Sequence, residues 1–382
     1  MTVAITGADL ITSVGTGRAD NFAALCAGVS GDKPLQSFDS THFRLSRCYE
    51  IDDGRAGRQD VKGRASSWLC RCVAEASRQA GLALWSDRIA LLVGTGLREL
   101  RSLELWWSEH VPIDVSELHF AGALRREVGF QGPVFTISNA CSASNFALGL
   151  GADWIELGDI DVAIIAGTDS ITESMLGVLD RSSPDPPERV QPFAVGRKGV
   201  LLGEGAAAVV LEPLDRVLQE GRVPLARLRG VGMSCDAHHE TAPLLAGVVS
   251  AMVNAHRRAG ITAEEVDLIV AHGTGTALND PVEALAIKEV FGPAAERVMI
   301  SGLKSMVGHT SGASGLMGVI VAIEAMHHGR VPPTVGSTEV IAEAEGLNIV
   351  GPREKSMRVR VAQVNAFGFG GVNAVAVVDR EA

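Results

Sequence analysis

The sequence predicts an α/β protein made of two similar halves. Short apolar segments with strand character alternate with longer segments of helix character, which is the pattern of buried sheets covered by helices. The alternation returns in the second half of the chain, where two stretches repeat stretches of the first half. Glycine makes up 43 of the 382 residues and aromatic residues only 4%, so we expect a core of aliphatic side chains with many tight backbone contacts.

The individual elements follow from composition and length. Strands are compact apolar runs that end near Gly, Ser or Asp, and helices are longer runs of mixed character. The predicted strands are Val3–Thr6, Ile89–Val93, Val134–Ser138, Val162–Ala166, Leu268–Ala271, Met299–Ser301, Arg358–Val364 and Ala374–Val378. The predicted helices are Arg64–Ala80, Ala143–Leu157, Asp280–Val290 and Gly312–His327.

Two sequence matches indicate an internal duplication. Arg88-Ile-Ala-Leu-Leu-Val-Gly-Thr-Gly resembles Asp267-Leu-Ile-Val-Ala-His-Gly-Thr-Gly, and Leu202-Gly-Glu-Gly-Ala-Ala-Ala-Val-Val-Leu resembles Gly368-Phe-Gly-Gly-Val-Asn-Ala-Val-Ala-Val. Both matches occur in the same order with similar separation, which favours duplication over chance. We therefore predict two halves, residues 1–225 and 226–382. No Pro/Ser linker separates them, so they should pack as one body.

Composition excludes several classes of protein. The chain has 34 basic and 45 acidic residues, a net charge of −11, which argues against a nucleic-acid partner. No run approaches the roughly 20 apolar residues that span a bilayer, and the first residues read as a strand rather than a signal peptide. The six cysteines lack paired spacing, so we expect free thiols in a reducing cytoplasm.

The first chemistry-bearing segment centres on Cys141. It lies where a strand ends near Ser138 and a helix begins, so unpaired backbone N–H groups and the helix dipole would stabilise its thiolate. The same amides could hold an oxyanion. The alternative is that Cys141 is a buried small hydrophobic residue, as many free cysteines are.

Two further segments place histidines after strands. His272 ends a strand before a Gly/Thr loop, and His309 follows Lys304 by five residues in a strand–loop–helix segment. Each histidine alone could be structural. Together with Cys141 they share the C-terminal edge of a parallel sheet, where such folds place their sites, and they suggest a thiol nucleophile with positive donors. A zinc site is less favoured because these residues lack close ligand pairs.

With these motifs in order, the sequence resembles a known family. Asn-Ala-Cys141-Ser-Ala-Ser, Ala-His272-Gly-Thr-Gly-Thr, Lys304-Ser-Met-Val-Gly-His309 and Asn365-Ala-Phe-Gly-Phe-Gly-Gly look like the β-ketoacyl-acyl carrier protein synthases of the elongating type. That family belongs to the thiolase superfamily. The resemblance implies a thiolase-like fold, with two duplicated αβ halves stacked as a five-layer αβαβα sandwich.

The resemblance also implies a reaction. Cys141 would be acylated from a carrier-bound thioester. His272 and His309 would hold the thioester carbonyl of a malonyl unit and stabilise the enolate left after CO₂ departs. Lys304 would hold the histidine network in place. The backbone amides of Cys141 and Phe369 would form the oxyanion hole, with Phe369 also gating the acyl pocket.

Substrates and partners follow from the same resemblance. Thr274 and Thr276 would bind the pantetheine arm of an acyl carrier protein, and no metal or other cofactor is expected. The chain would form a homodimer, or a heterodimer with a related ketosynthase or chain-length-factor subunit. The basic residues that would form a docking surface for the carrier protein are Arg55, Arg58, Lys62, Arg64 and Arg71.

Several positions depart from the family pattern. Gly318 stands where an acidic partner of the lysine is usual, the segment 193–200 reads Phe193-Ala194 and then Lys198-Gly199-Val200, and loops near 103–120, 180–190 and 240–246 are short. These departures fit a specialised-metabolite synthase as well as a fatty-acid one. Two alternatives stay open: a chain-length-factor-like partner without turnover, and an acyltransferase or cyclase that uses Cys141 without decarboxylation.

Overall fold

A computed structural model describes residues 3–53, 60–84, 86, 88–182 and 185–380. The strands are β1 Val3–Thr12, β2 Gly15–Thr16, β3 Lys33–Pro34, β4 Arg47–Cys48, β5 Ile89–Gly94, β6 Val134–Ile137, β7 Val162–Asp169, β8 Gly205–Pro213, β9 Ala226–Cys235, β10 Leu268–Val270, β11 Met299–Ser301, β12 Arg330–Val331, β13 Asn348–Ile349, β14 Lys355–Ser356, β15 Val361–Gly368 and β16 Val372–Asp379. The helices are α1 Arg18–Cys26, α2 Arg64–Ala80, α3 Leu100–Glu109, α4 Phe120–Ala123, α5 Ala143–Leu157, α6 Glu173–Ser182, α7 Leu214–Gln219, α8 Leu245–Ala259, α9 Asn279–Phe291, α10 Lys304–Val307 and α11 Ser314–His328.

The main sheet consists of two half-sheets with the same strand order. The N-terminal half runs β6-β5-β7-β8-β1, and the C-terminal half runs β11-β10-β15-β16-β9 with β13 added beside β11. In each half the first three strands are parallel and the next two pairings are antiparallel. The halves join where the first three residues of β1 pair with the start of β9. The two sequence matches thus lie on equivalent strands, β5 with β10 and β8 with β16.

The sheet folds back so that its halves enclose two helices. α5 contacts β5 and β7 of the first half and β9 and β16 of the second, while α11 contacts β8, β15 and β16. α2 covers the outer face of the first half-sheet, and α8, packed against α9, covers that of the second. The order is therefore helix, sheet, helices, sheet, helices, which confirms the predicted five-layer αβαβα fold of two duplicated halves.

The central position of α11 follows from its sequence. Every residue from Gly315 to Met326 is buried, because the helix is apolar on all sides and can be satisfied only between two layers. Its one buried carboxylate, Glu324, is paired with Arg18 at 3.0 Å. Within the described residues no helix combines the length and the apolar character needed to cross a bilayer.

The predicted elements agree closely with those observed. α2, α5 and β11 have the predicted bounds, and the remaining predicted strands and helices differ at their ends by a few residues. The largest differences are at β1, which continues to Thr12, and at β15, which begins at Val361 and continues to Gly368. The division of the chain into domains at residues 225 and 226 stays a prediction.

Candidate active site

Cys141 lies in a tight turn at the start of α5. The preceding residue, Ala140, has a φ of +58°, a left-handed conformation that is strained for a residue with a side chain. Burial raises the pKa of the Cys141 thiol to about 11, whereas the charge of Lys304 and the backbone N–H groups of Phe369 and Cys141 itself act to lower that pKa. The sulfur is therefore a neutral thiol at pH 7, already faced by two backbone donors.

His272 and His309 face one another at the same end of the sheet. Their ring centroids are 5.5 Å apart and the rings are nearly perpendicular, at 83°. Burial holds the pKa of both imidazoles well below its usual value, and the positive charge of Lys304 lowers both further. Both rings are thus neutral at pH 7. The backbone N–H of Ser311 donates to Nδ1 of His309 at 3.1 Å, so the proton of this ring is on Nε2.

Lys304 is a buried cation in contact with His272. Its Nζ donates to the backbone carbonyl of His272 and lies 3.4 Å from Nδ1 of the same residue. Burial lowers the pKa of Lys304 to about 8, against the raising effects of Glu283, Cys141 and Asp280. With Nδ1 of His272 facing an ammonium group, the proton of this ring is also on Nε2.

Two buried carboxylates on α9 hold the loop that carries His272. Glu283 accepts the backbone N–H groups of His272 and Gly273, each at 2.7 Å, and Asp280 accepts that of Thr274 at 3.1 Å. From the sequence, Asp280 is predicted only as the first residue of a helix, and Glu283 has no predicted role. Their spacing of three residues, at the start of a helix that directly follows the loop, was the available signal because it puts both on one helix face.

A third carboxylate, Asp169, joins the two halves behind the site. It accepts the Thr95 hydroxyl at 2.7 Å and the backbone N–H of Gly312 at 2.7 Å. Gly312 belongs to the turn that follows His309, and a Cβ there would lie 2.4 Å from the Thr95 backbone, so only glycine permits this approach. Sequence reasoning missed Asp169, because its partners lie on distant segments.

The cysteine and both histidines line one apolar cavity of about 680 Å³, a volume that includes its open mouth. Cys141, His272 and His309 lie on it together with Thr274 and Thr276, whose hydroxyl oxygens are 2.9 Å apart. Phe369 lies at the rim with 40% of its surface exposed. Apolar side chains form the remaining wall, chiefly those of Met175, Leu179, Val200, Leu202 and Phe367.

Comparison with known families identifies this arrangement. A family model described as the N-terminal domain of β-ketoacyl synthases matches residues 1–216, and one described as the C-terminal domain matches residues 225–338. The chain belongs to the β-ketoacyl synthase family. The synthase is therefore an acyltransferase that condenses acyl groups in fatty-acid or polyketide biosynthesis.

Individual relatives match from about four fifths to all of the synthase. The 3-oxoacyl-[acyl-carrier-protein] synthase 2 of Coxiella burnetii is 32% identical over 99% of this chain and 98% of its own. Nodulation protein E of Rhizobium meliloti is 38% identical over 79% of this chain and 78% of its own. A solved structure titled "The ishigamide ketosynthase/chain length factor" superposes with a TM-score of 0.90 at 32% identity, covering 100% of this chain and 99% of that one.

The structure explains how the synthase accommodates Gly318. A Cβ at this position would lie 2.7 Å from Cγ1 of Val364 and 3.2 Å from Cγ1 of Val270, inside the aliphatic core. An acidic side chain has no room there. The carboxylates that act on Lys304 instead come from α9, namely Glu283 and Asp280.

The altered segment 193–200 also reaches the site. The backbone N–H of Phe193 donates to Asp280 at 2.7 Å, and Val200 lines the cavity. Lys198 points away and pairs with Asp185 at 2.9 Å on the surface. Val200 is therefore the member of this segment whose side chain bounds the substrate space.

The predicted docking surface needs one correction. Arg64 is 4% exposed, and its guanidinium makes two 2.7 Å bonds to the fully buried Glu204, so it cannot face a carrier protein. Lys62 is exposed but donates to Glu117 at 2.8 Å, and Arg71 is exposed on α2. Arg55 and Arg58 lie outside the described residues.

The zinc alternative has no ligand set in the part of the chain that the structure describes. No three His, Cys, Asp or Glu side chains are grouped there in a way that could hold a metal ion. Cys141, His272 and His309 are arranged around a cavity instead, and the groups that act on them are Lys304, Phe369 and Ser311.

Proposed function

We propose that the synthase carries an acyl group on Cys141 and extends it with a malonyl unit held by His272 and His309. The observation that carries this proposal is the set of neutral donors in one cavity. Two imidazoles with their protons on Nε2 share an apolar space with a thiol whose sulfur is faced by two backbone N–H groups. Such a site favours anions that form transiently on substrate oxygens.

In the first step, the sulfur of Cys141 attacks the carbonyl carbon of an acyl thioester. The carbonyl oxygen becomes an oxyanion, which the N–H groups of Cys141 and Phe369 stabilise. The bond to the carrier's pantetheine sulfur then breaks, and the proton of the Cys141 thiol ends on that sulfur. Lys304 and the start of α5 favour the thiolate during the transfer.

In the second step, His272 and His309 donate their Nε2 protons in hydrogen bonds to the malonyl thioester oxygen. The bond to the carboxylate breaks, CO₂ leaves, and the electron pair moves into an enolate whose oxygen is held by both imidazoles. The enolate carbon attacks the acyl carbon on Cys141, the Cys141 thiolate leaves, and a proton taken from water restores the thiol. The product is a β-ketoacyl chain on the carrier, and no cofactor is consumed.

We propose an acyl carrier protein as the donor of both substrates, with Thr274 and Thr276 binding its pantetheine arm at the cavity. The name of the Coxiella burnetii relative, 3-oxoacyl-[acyl-carrier-protein] synthase 2, supports this. We further propose a specialised or polyketide pathway and a dimer with an identical or related subunit. The ketosynthase/chain length factor match and the exposed Phe135 on β6, at the end of the first half-sheet, support these finer assignments.

A single assay tests the proposal. The protein is incubated with acyl-carrier and malonyl-carrier protein while intact mass and CO₂ are followed. Acyl-Cys141 together with CO₂ supports condensation. Acylation without CO₂ indicates a transferase or cyclase, and neither event across a panel of acyl chains indicates a partner subunit. The His309→Ala variant should still be acylated but should lose decarboxylation, and full CO₂ release by that variant would contradict its role.

A further inference from the structure

A chain of buried side chains runs from the outer helix α8, across β15, to the active site. Nε2 of His256 contacts Oε1 of Gln363 at 2.6 Å, Nε2 of Gln363 donates to Oδ1 of Asn365 at 2.8 Å, and Nδ2 of Asn365 donates to Oε1 of Glu283 at 2.9 Å. The exposed fractions of these four residues are 7%, 0%, 3% and 0% in that order. Gln363 and Asn365 are two residues apart on β15, so they share one face of the sheet.

The carboxylate at one end sets the direction of every bond in this chain. Glu283 accepts at this end, so Asn365 must turn its NH₂ toward it and its oxygen toward Gln363. Gln363 then turns its own NH₂ toward Asn365 and its oxygen toward His256. His256 must therefore carry a proton on Nε2. All three donors point toward Glu283, an arrangement in which each bond polarises the next.

The same carboxylate holds the backbone of His272. Glu283 accepts the backbone N–H groups of His272 and Gly273 at 2.7 Å each. The orientation of the Glu283 carboxylate therefore fixes the backbone position from which the His272 side chain projects. A group that orients the Glu283 carboxylate, as Asn365 does, therefore acts on His272 indirectly, through Glu283.

Packing alone does not account for His256 and Gln363. They lie against the apolar cluster between α8, α9 and the second half-sheet, where His256 meets the ring of Phe291 edge-on at 5.5 Å. Two buried polar side chains cost free energy unless they are paired, and two apolar ones of similar size would fill the same space.

We propose that His256 and Gln363, together called the His256–Gln363 arm, are positioning residues for His272. They orient Asn365, which orients Glu283, which holds the backbone of His272. The inference rests on the proposed function insofar as His272 is the group that binds the malonyl thioester. It adds to that function a contribution from α8, a helix of the outer layer.

The test removes the arm without leaving a broken polar pair within it. Gln363→Met keeps the side-chain length without its polar atoms, and His256→Leu removes the partner that would otherwise be left unpaired. The double variant should melt near the wild-type temperature. Its acylation rate should stay within about twofold, while its CO₂ release falls about tenfold because a small misplacement of an oriented group has large kinetic effects. Arg257→Leu, exposed on the same helix, is the matched control and should change neither rate.

Hydrogen exchange gives a readout that does not depend on turnover. The backbone N–H groups of His272 and Gly273 should exchange faster in the double variant than in the wild type. If wild-type protein releases no CO₂, the proposed function fails, and this exchange result alone decides the inference.

The inference is overturned by a folded double variant with wild-type exchange at His272, whatever its CO₂ release. Should the double variant not fold, His256→Leu and His256→Gln replace it. The glutamine variant keeps an N–H donor for Gln363, so it should show wild-type exchange while the leucine variant exchanges faster. Equal exchange in these two variants would equally overturn the inference.

Discussion

Replacing Arg64 by leucine should lower the free energy of unfolding of the protein by a large amount, and it should not weaken binding of the carrier protein. The guanidinium is the cation that neutralises Glu204, which is fully buried, through two bonds of 2.7 Å. After the substitution Glu204 keeps the backbone N–H groups of Ile51 at 3.0 Å and Ile171 at 3.3 Å, which do not supply a charge. Removing one partner of a buried ion pair costs about 3–5 kcal/mol.

The matched control lies two residues away. Lys62 forms an ion pair with Glu117 at 2.8 Å, but both side chains are about one third exposed, at 39% and 32%. Such surface pairs contribute about 0–1 kcal/mol. Lys62→Leu should therefore leave the free energy of unfolding almost unchanged, although it removes the same formal charge as Arg64→Leu.

Urea unfolding followed by tryptophan fluorescence measures both variants against the wild type. A loss below about 1 kcal/mol for Arg64→Leu would refute the reasoning, because it would mean that Glu204 does not depend on this cation. Carrier-protein affinity at low salt is the second measurement. Lys62→Glu combined with Arg71→Glu should lower it if the exposed part of the basic run is a docking surface, and unchanged affinity would reject that surface.

Three further predictions concern the site. Because the pKa of Lys304 is lowered to about 8, its ammonium is lost as the pH rises through that value. The condensation rate of the wild type should therefore decline near pH 8, whereas Lys304→Met should condense slowly at every pH without that decline. A wild-type rate that does not change with pH in this range would contradict the prediction. Gly308→Ala puts a Cβ 2.4 Å from the Tyr49 ring at a φ of +68°; it should cost about 1–3 kcal/mol in a thermal melt and reduce CO₂ release, while Gly196→Ala, with open space around it, should do neither. Gly318→Glu should destabilise the fold by more than about 3 kcal/mol, and a variant as stable as the wild type would show that an acid does fit beside Lys304.

Local pattern was sufficient for the framework of the fold. The strands β5 and β10 are apolar runs that lead into Gly-Thr-Gly turns, and the amino-acid composition changes within one or two residues at the ends of α2 and α5. The motifs around Cys141 and His272 could be predicted from the sequence for the same reason. A nucleophile at a helix start and a histidine at a strand end are defined by their immediate neighbours.

Contacts between side chains that are far apart in the sequence could not be predicted in this way. Arg64 and Glu204 are 140 residues apart, so no residue near Arg64 in the sequence shows that its guanidinium forms a buried ion pair. The sequence alone therefore places Arg64 with the other basic residues of a surface run. Asp169 is similar: its acceptor role depends on Gly312, 143 residues away. A surface charge and a buried one look identical until the partner segment is known.

The duplication accounts for how one site draws on both halves. β6 leads through a tight turn into α5, and β11 leads through the short helix α10 and the His309 turn into α11, so Cys141 and His309 precede equivalent central helices. Because α5 and α11 pack against one another between the half-sheets, their starts meet. The loops after β5 and β10 are equivalent in position but differ in role. Thr95, after β5, donates to Asp169, which also holds the turn after His309 through Gly312. The loop after β10 carries His272 itself. Both loops of the first pair, after β6 and β11, and one loop of the second pair, after β10, thus provide side chains of the site.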